Sequence, residues 1–327
     1  MTTQRRDDVD DVAILFSRMR TADFDKITLS LYVVEGLLIS LANLFLAIRL
    51  FSNRHLRAQK EHVIIGACLL FDVIFGLTYF SGGVFRAIPL VLYDYFPQVS
   101  MWYCFSQIHT QLFILTTVMS GIFCFSTAVD RLLCVFRPIF YLKQHLAYAY
   151  TLMFLPFLLH FALLLPAGFA SYRSGAVKTS TMVCYVREAV TLEFFMTYRI
   201  IRIVSSLGCI LIYIPIFAKM YRILQKQKKT SVESKRNQQR LLNMTTTVAM
   251  ITGSTICLFT VPDVIVFFYP FIQPNVIYVV SLQKGVVNLL VFLKTQRFLR
   301  NLVLPKSLRE TSSVIPSLSK SNQTRVL

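Results

Sequence analysis

FILTTVMSGIFCFSTAVDRLL, residues Phe113–Leu133, closes an apolar run with an acid and a base side by side, Asp130 and Arg131. Upstream of that pair, no Asp, Glu, Lys or Arg interrupts the chain back to Asp94. A helix needs roughly 20 predominantly apolar residues to cross a bilayer core, and the block 102–135 exceeds that length. Working outward, six more blocks of spanning length lie at 27–50, 63–87, 147–170, 194–223, 244–270 and 276–294. Each is bounded by charge, Pro or Gly, and the blocks at 194–223 and 276–294 also carry internal charges. The fold class implied is an all-α membrane protein, a bundle of seven transmembrane helices.

Composition points the same way. Of 327 residues, 55% are hydrophobic and 15% charged, whereas a soluble domain averages about a quarter charged. That much apolar surface cannot fit inside one soluble core, so lipid must solvate part of it. The net charge of +18 is dispersed between the apolar blocks rather than gathered in one patch, which argues against nucleic-acid binding. Seven Cys show neither a CxxC pair nor metal-ligand spacing, so neither a metal nor another cofactor is expected. No nucleophile–base set, paired carboxylates or phosphate-binding Gly loop suggests an enzyme. There are no internal repeats and no inverted pair of broken helices of the transporter kind. Residues 1–26 mix five basic and six acidic residues without an apolar core. They are expected to be an extracellular segment rather than a cleavable signal peptide.

Lys and Arg set the expected orientation. Arg54, Arg57 and Lys60 follow block one, and Arg137 and Lys143 follow block three. The run Lys219–Arg240 holds eight basic residues and one acid, and Lys294, Arg297, Arg300, Lys306, Arg309, Lys320 and Arg325 follow block seven. The alternate loops carry little: Arg86, then Arg173, Lys178 and Arg187 offset by Glu188 and Glu193. Basic loops stay in the cytoplasm, so the N-terminus is expected outside and the tail inside, in the plasma membrane. The sequons at Asn243 and Asn322 then fall inside and should carry no glycan.

Polar side chains within such blocks are expensive and mark function. Asn43 stands in block one, Asp72 in block two, and Asp130-Arg131-Leu132 with Pro138 and Tyr141 at the end of block three. Pro262 lies in block six, and Asn288-Leu289-Leu290-Val291-Phe292 ends block seven before the basic amphipathic stretch Lys294–Leu304. This set resembles the rhodopsin-like G-protein-coupled receptors. Asp-Arg-Leu with the downstream Pro and Tyr looks most like the nematode serpentine chemoreceptors of class SX. The resemblance covers residues 31–304 and implies a short amphipathic eighth helix, making 27–304 the receptor domain and 305–327 a disordered tail rich in Ser and Thr.

The resemblance also implies roles. Asp130 would hold Arg131, which on activation would be released towards a heterotrimeric G protein with Tyr213, Asn288 and Phe292; the alternative is an interfacial Arg131 that only snorkels. Asn43, Asp72, Ser120 and Lys284 would form a polar core cluster, against the alternative of an isolated carboxyl satisfied by backbone. Cys104 and Cys184 would be a disulfide on the oxidising side; the alternative is two free thiols. Cys104 precedes Asp130 by 26 residues, about two more than such receptors usually show, which suggests an irregular start to the third helix. Departures from the family pattern stand beside these matches: Phe259 where the sixth helix usually has Trp, Leu289 and Phe292 for Pro and Tyr in the seventh, and Leu242 where relatives keep an acid.

The acid that binds amines in such receptors is replaced by Phe113, so a biogenic amine is not the expected ligand. The pocket would be built from His109, Phe113, Arg199, Arg202, Phe259 and Asp263. Arg199 and Arg202 share a helical face and would suit an acidic small molecule, unless both snorkel to headgroups. Lys284 lies one turn from Asn288, at a level where relatives bind sodium. It would pair with Asp72 and take the ion's place, pair instead with Asp263, or snorkel outward. The function expected is a chemosensory receptor for an extracellular small molecule. A transporter or channel, and a receptor paralogue that no longer signals, are the alternatives.

Overall fold

The computed structural model describes the backbone of residues 4–93, 97–175, 180–226, 245–268 and 274–295, and most of their side chains from Lys26 onward. The stretch expected to form an eighth helix beyond Thr295, the tail 305–327, Asn243, Asn322, Leu242 and the basic run beyond Lys226 lie outside these residues. Seven helices are long and apolar enough to span a membrane. They are α1 (Gln4–Ser52), α2 (Lys60–Tyr93), α3 (Ile108–Phe136), α4 (Leu146–Arg173), α5 (Leu192–Lys226), α6 (Thr245–Ile265) and α7 (Pro274–Thr295). The chain is an all-α seven-helix bundle and a multi-pass membrane protein. Large apolar side chains stay exposed along the outside of α4 and α5, among them Leu158, Leu165, Leu211 and Ile214. In water such a belt would aggregate; in a bilayer, lipid solvates it.

Helix α3 is central and packs on α2, α4 and α5, while α1 packs along α2. Two close approaches depend on glycine. A Cβ on Gly76 would lie 2.7 Å from the Gly36 carbonyl oxygen, and one on Gly36 2.8 Å from that of Gly76. The two backbones therefore touch, as small residues allow within membranes. A Cβ on Gly121 would lie 2.8 Å from the Arg202 carbonyl oxygen, so this glycine lets α5 bring Arg202 against α3.

Three blocks differ from their expected form. Block three is two helices: Met101–Ser106 is separated from α3 by Gln107, whose φ of −72° and ψ of 132° are extended. The Ser100 hydroxyl caps the short helix by accepting the Tyr103 N–H at 3.1 Å. Cys104 thus rides on its own turn, which accounts for the long spacing to Asp130. Block two runs on to Tyr93 through Pro89, and Arg86, expected in a loop, lies within α2. In α6 the turn Ile256–Thr260 widens to π geometry, with the Val261 N–H bonding the Ile256 carbonyl. Pro262 has no N–H and its ring crowds the carbonyl four residues back; the wide turn accommodates it.

At one end of the bundle, Gln98–Val99 and Ser180–Thr181 form a two-residue antiparallel ladder. Beside it Cys104 and Cys184 are disulfide-bonded, their Cα atoms 5.0 Å apart. Asp130 and Arg131 lie at the opposite end of α3.

Candidate functional site

Three polar centres occupy the bundle from one end to the other. The first is at the end away from the disulfide. Arg131 Nε and Nη2 donate to Asp130 Oδ2 at 2.9 and 2.5 Å, and both side chains are nearly inaccessible. The Arg131 head is therefore turned inward rather than snorkelled. Tyr213 on α5 is buried among Ala128, Val135, Ile216 and Val248 and lies within electrostatic reach of Arg131. Tyr141, on the short helix after α3, is also buried. Burial pushes its phenol well above the usual range, so it faces the Asp130–Arg131 pair as a neutral hydroxyl. Lys60 holds this turn by donating to the Tyr141 carbonyl, with its ammonium 3.8 Å from the Tyr141 ring centroid. Phe292 is buried in a cluster with Leu46, Leu50, Leu56, Ile65 and Leu69 and lines the mid-bundle cavity.

The second centre lies mid-bundle. Lys284 Nζ is 3.5 Å from Asp72 Oδ1, with both side chains 3% exposed. Asn288 Nδ2 donates to the same carboxylate at 3.1 Å, and Ser254 Oγ donates to Asn288 Oδ1 at 2.7 Å. The Lys284 ammonium also lies 4.9 Å from the ring centroids of both Phe71 and Phe75. A cavity of about 30 Å³ opens here, lined by Asp72, Ser120, Thr127, Thr255, Lys284 and Asn288. That is room for one or two waters, an order of magnitude below a site for an organic ligand. Asn43 does not join the group; its Nδ2 donates to the Ile39 carbonyl of its own helix at 2.9 Å. The α1 backbone satisfies its amide donor locally, so the expected four-residue cluster becomes Asp72, Lys284 and Asn288 with Ser120 on the cavity wall.

No family model and no curated protein matches this chain.

The third centre lies beneath the disulfide. Arg202 forms an ion pair with Asp263 and stands over the Phe259 ring, Cζ 4.8 Å from its centroid. Asp263 is thus occupied, and of the two carboxylates open to Lys284 the structure pairs it with Asp72. Arg199 is half-buried, its Cζ 5.1 Å from the Phe195 ring centroid. His109 is 3% exposed and stacks on Phe85, ring centroids 5.0 Å apart. Phe113 packs edge-on against Tyr79 and tilts against Tyr278.

Sequence reading missed the most buried cation of this region. Arg86 is 1% exposed and its Nε donates to the Val183 carbonyl at 3.0 Å. Its guanidinium carbon lies 4.7, 4.8 and 5.7 Å from the ring centroids of Phe113, Tyr185 and Tyr278. Val183 and Tyr185 flank Cys184, whose φ of 52° is left-handed. That turn presents a carbonyl from one side and a ring from the other to the same guanidinium. The signal in the sequence was a lone charge three residues before Pro89, inside a stretch that could still be helix.

Proposed function

We propose that the chain is a chemosensory G-protein-coupled receptor of the plasma membrane. It binds an extracellular small molecule other than a biogenic amine and signals through a heterotrimeric G protein. The observation that carries this reading is the Asp130–Arg131 pair, buried at the end of α3 remote from the disulfide. A buried charge on a membrane helix is costly to keep, and here it is held by one adjacent carboxylate, a restraint that a repacking of α5 and α6 can undo. Orientation is supported from both ends. Lys and Arg dominate the loops on the Arg131 side, and the disulfide belongs on an oxidising face. Ligand binding at the disulfide end would favour a second helix arrangement in which Arg131 leaves Asp130 and meets the G protein, with Tyr213 beside it. The linked centre of Asp72, Lys284, Asn288 and Ser254 ties α2, α6 and α7 together midway.

Expression in reporter cells exposed to a chemical panel tests this. A response in the wild type that Arg131→Ala abolishes, with surface expression retained, is expected. A response that survives the substitution would favour a transporter or channel.

A further inference from the structure

We propose that Arg86 anchors a monoanionic organic ligand, a carboxylate carrying an apolar body, at the aromatic cluster under the disulfide loop. This deepens the receptor reading, on which it rests for the ligand's biological role.

A guanidinium has five N–H donors in one plane. Arg86 spends one on Val183, while Nη1 and Nη2, both buried, find no hydrogen-bond partner. The rings around it attract the charge but offer no in-plane acceptor to the fork. Neither acid nearby is free to serve. Asp263 is taken by Arg202. Glu188 accepts from the Thr181 hydroxyl at 2.9 Å and from the Tyr185 N–H at 3.2 Å. Among the described residues, no carboxylate pairs with Arg86. A buried charge without a counter-ion is among the costliest arrangements a fold can keep, and a carboxylate matches the vacant fork with two parallel hydrogen bonds.

The charge count selects the class. Tyr278 lies within electrostatic reach of Arg86, Arg199 and Arg202. Arg202 is neutralised by Asp263, and Arg199 is half-exposed and so partly solvated. One buried cation remains, which calls for one negative charge; a sulfate or phosphate dianion would need a second. His109 adds a polar contact. Both of its ring nitrogens are buried without a partner, and it lies within electrostatic reach of Arg86. Tyr79, Phe113 and Tyr278, packed on one another beside Arg86, supply apolar surface for the rest of the molecule.

The test uses the purified full-length chain in detergent at neutral pH. Its thermal midpoint is measured against acetate, hexanoate, benzoate and phenylacetate, each paired with its primary amide, and against sulfate. Saturable stabilisation by the acids with an apolar body, and none by the amides or sulfate, is expected. Arg86→Gln should abolish the shift. Arg86→Lys should raise the half-saturating concentration roughly tenfold, the worth of one charge-assisted hydrogen bond. No shift with any acid, an equal shift with the amides or sulfate, or an unchanged shift in Arg86→Gln would overturn the assignment. If either variant fails to fold, the wild-type comparison of acids with amides decides alone. Binding is read here without a G protein. A chain stabilised by carboxylates that never engages a G protein would leave this site standing and sink the receptor reading.

Discussion

Lys284→Met is expected to destabilise the bundle by about 3–5 kcal/mol, the cost of stranding one partner of a buried ion pair. Asp72 is 2% exposed. Without the ammonium it would keep only the Asn288 amide, which is itself committed to Ser254 through its oxygen. Surface expression and the thermal midpoint in detergent should both fall sharply. Asp72→Asn combined with Lys284→Met should recover most of the loss, because replacing both members of a buried pair is often neutral or stabilising. A single Lys284→Met chain as stable as wild type would remove the pair from the list of forces that hold α2 to α7. The ammonium already occupies the position of a cation beside Asp72, so exchanging sodium for potassium or an organic cation should leave the midpoint unchanged.

Much of this was legible in the chain. Seven apolar blocks count out seven helices because a bilayer leaves the backbone no other partner than itself. Lys284 could be placed near Asp72 because one helical turn separates it from Asn288 on the same face. What escaped was decided by tertiary contacts. Arg86 looked like the end of a block, since a charge ordinarily marks the water boundary; three aromatic rings from α3, α7 and the disulfide loop let it stay inside. Asn43 looked like a member of the polar cluster, but its amide bonds its own helix backbone, a choice no spacing rule reveals. The break at Gln107 was visible only as two surplus residues between Cys104 and Asp130. Ser254, one of several hydroxyls in α6 beside Thr252 and Thr255, gave no signal until the fold set it beside Asn288.

The second large effect concerns the disulfide. Replacing Cys104 or Cys184 by Ser should cost about 2–5 kcal/mol, towards the upper part of that range because the closed loop is long, the cysteines being 80 residues apart. Local geometry bears on the choice of replacement. Cys184 is left-handed, a conformation that a non-glycine residue adopts at roughly 1–2 kcal/mol. Its neighbours Val183 and Tyr185 contact Arg86, so loosening the loop should also loosen those contacts. Surface expression should drop for either variant, and Cys184→Gly should lose less stability than Cys184→Ser because glycine tolerates the turn. At position 104, where the backbone is helical, Gly should be no better than Ser. Equal thermal midpoints for Cys184→Gly and Cys184→Ser would show that position 184 does not stay left-handed once the bridge is gone.

The receptor reading is tested most directly by nucleotide exchange. The purified chain, reconstituted into lipid vesicles with a panel of purified heterotrimeric G proteins, is assayed for guanine-nucleotide exchange with and without the carboxylate that stabilises it best. Acceleration by the wild type on at least one heterotrimer, increased by the carboxylate and lost in Arg131→Ala, is the expected result. Exchange no faster than in protein-free vesicles for every heterotrimer, or acceleration that persists in Arg131→Ala, would contradict it.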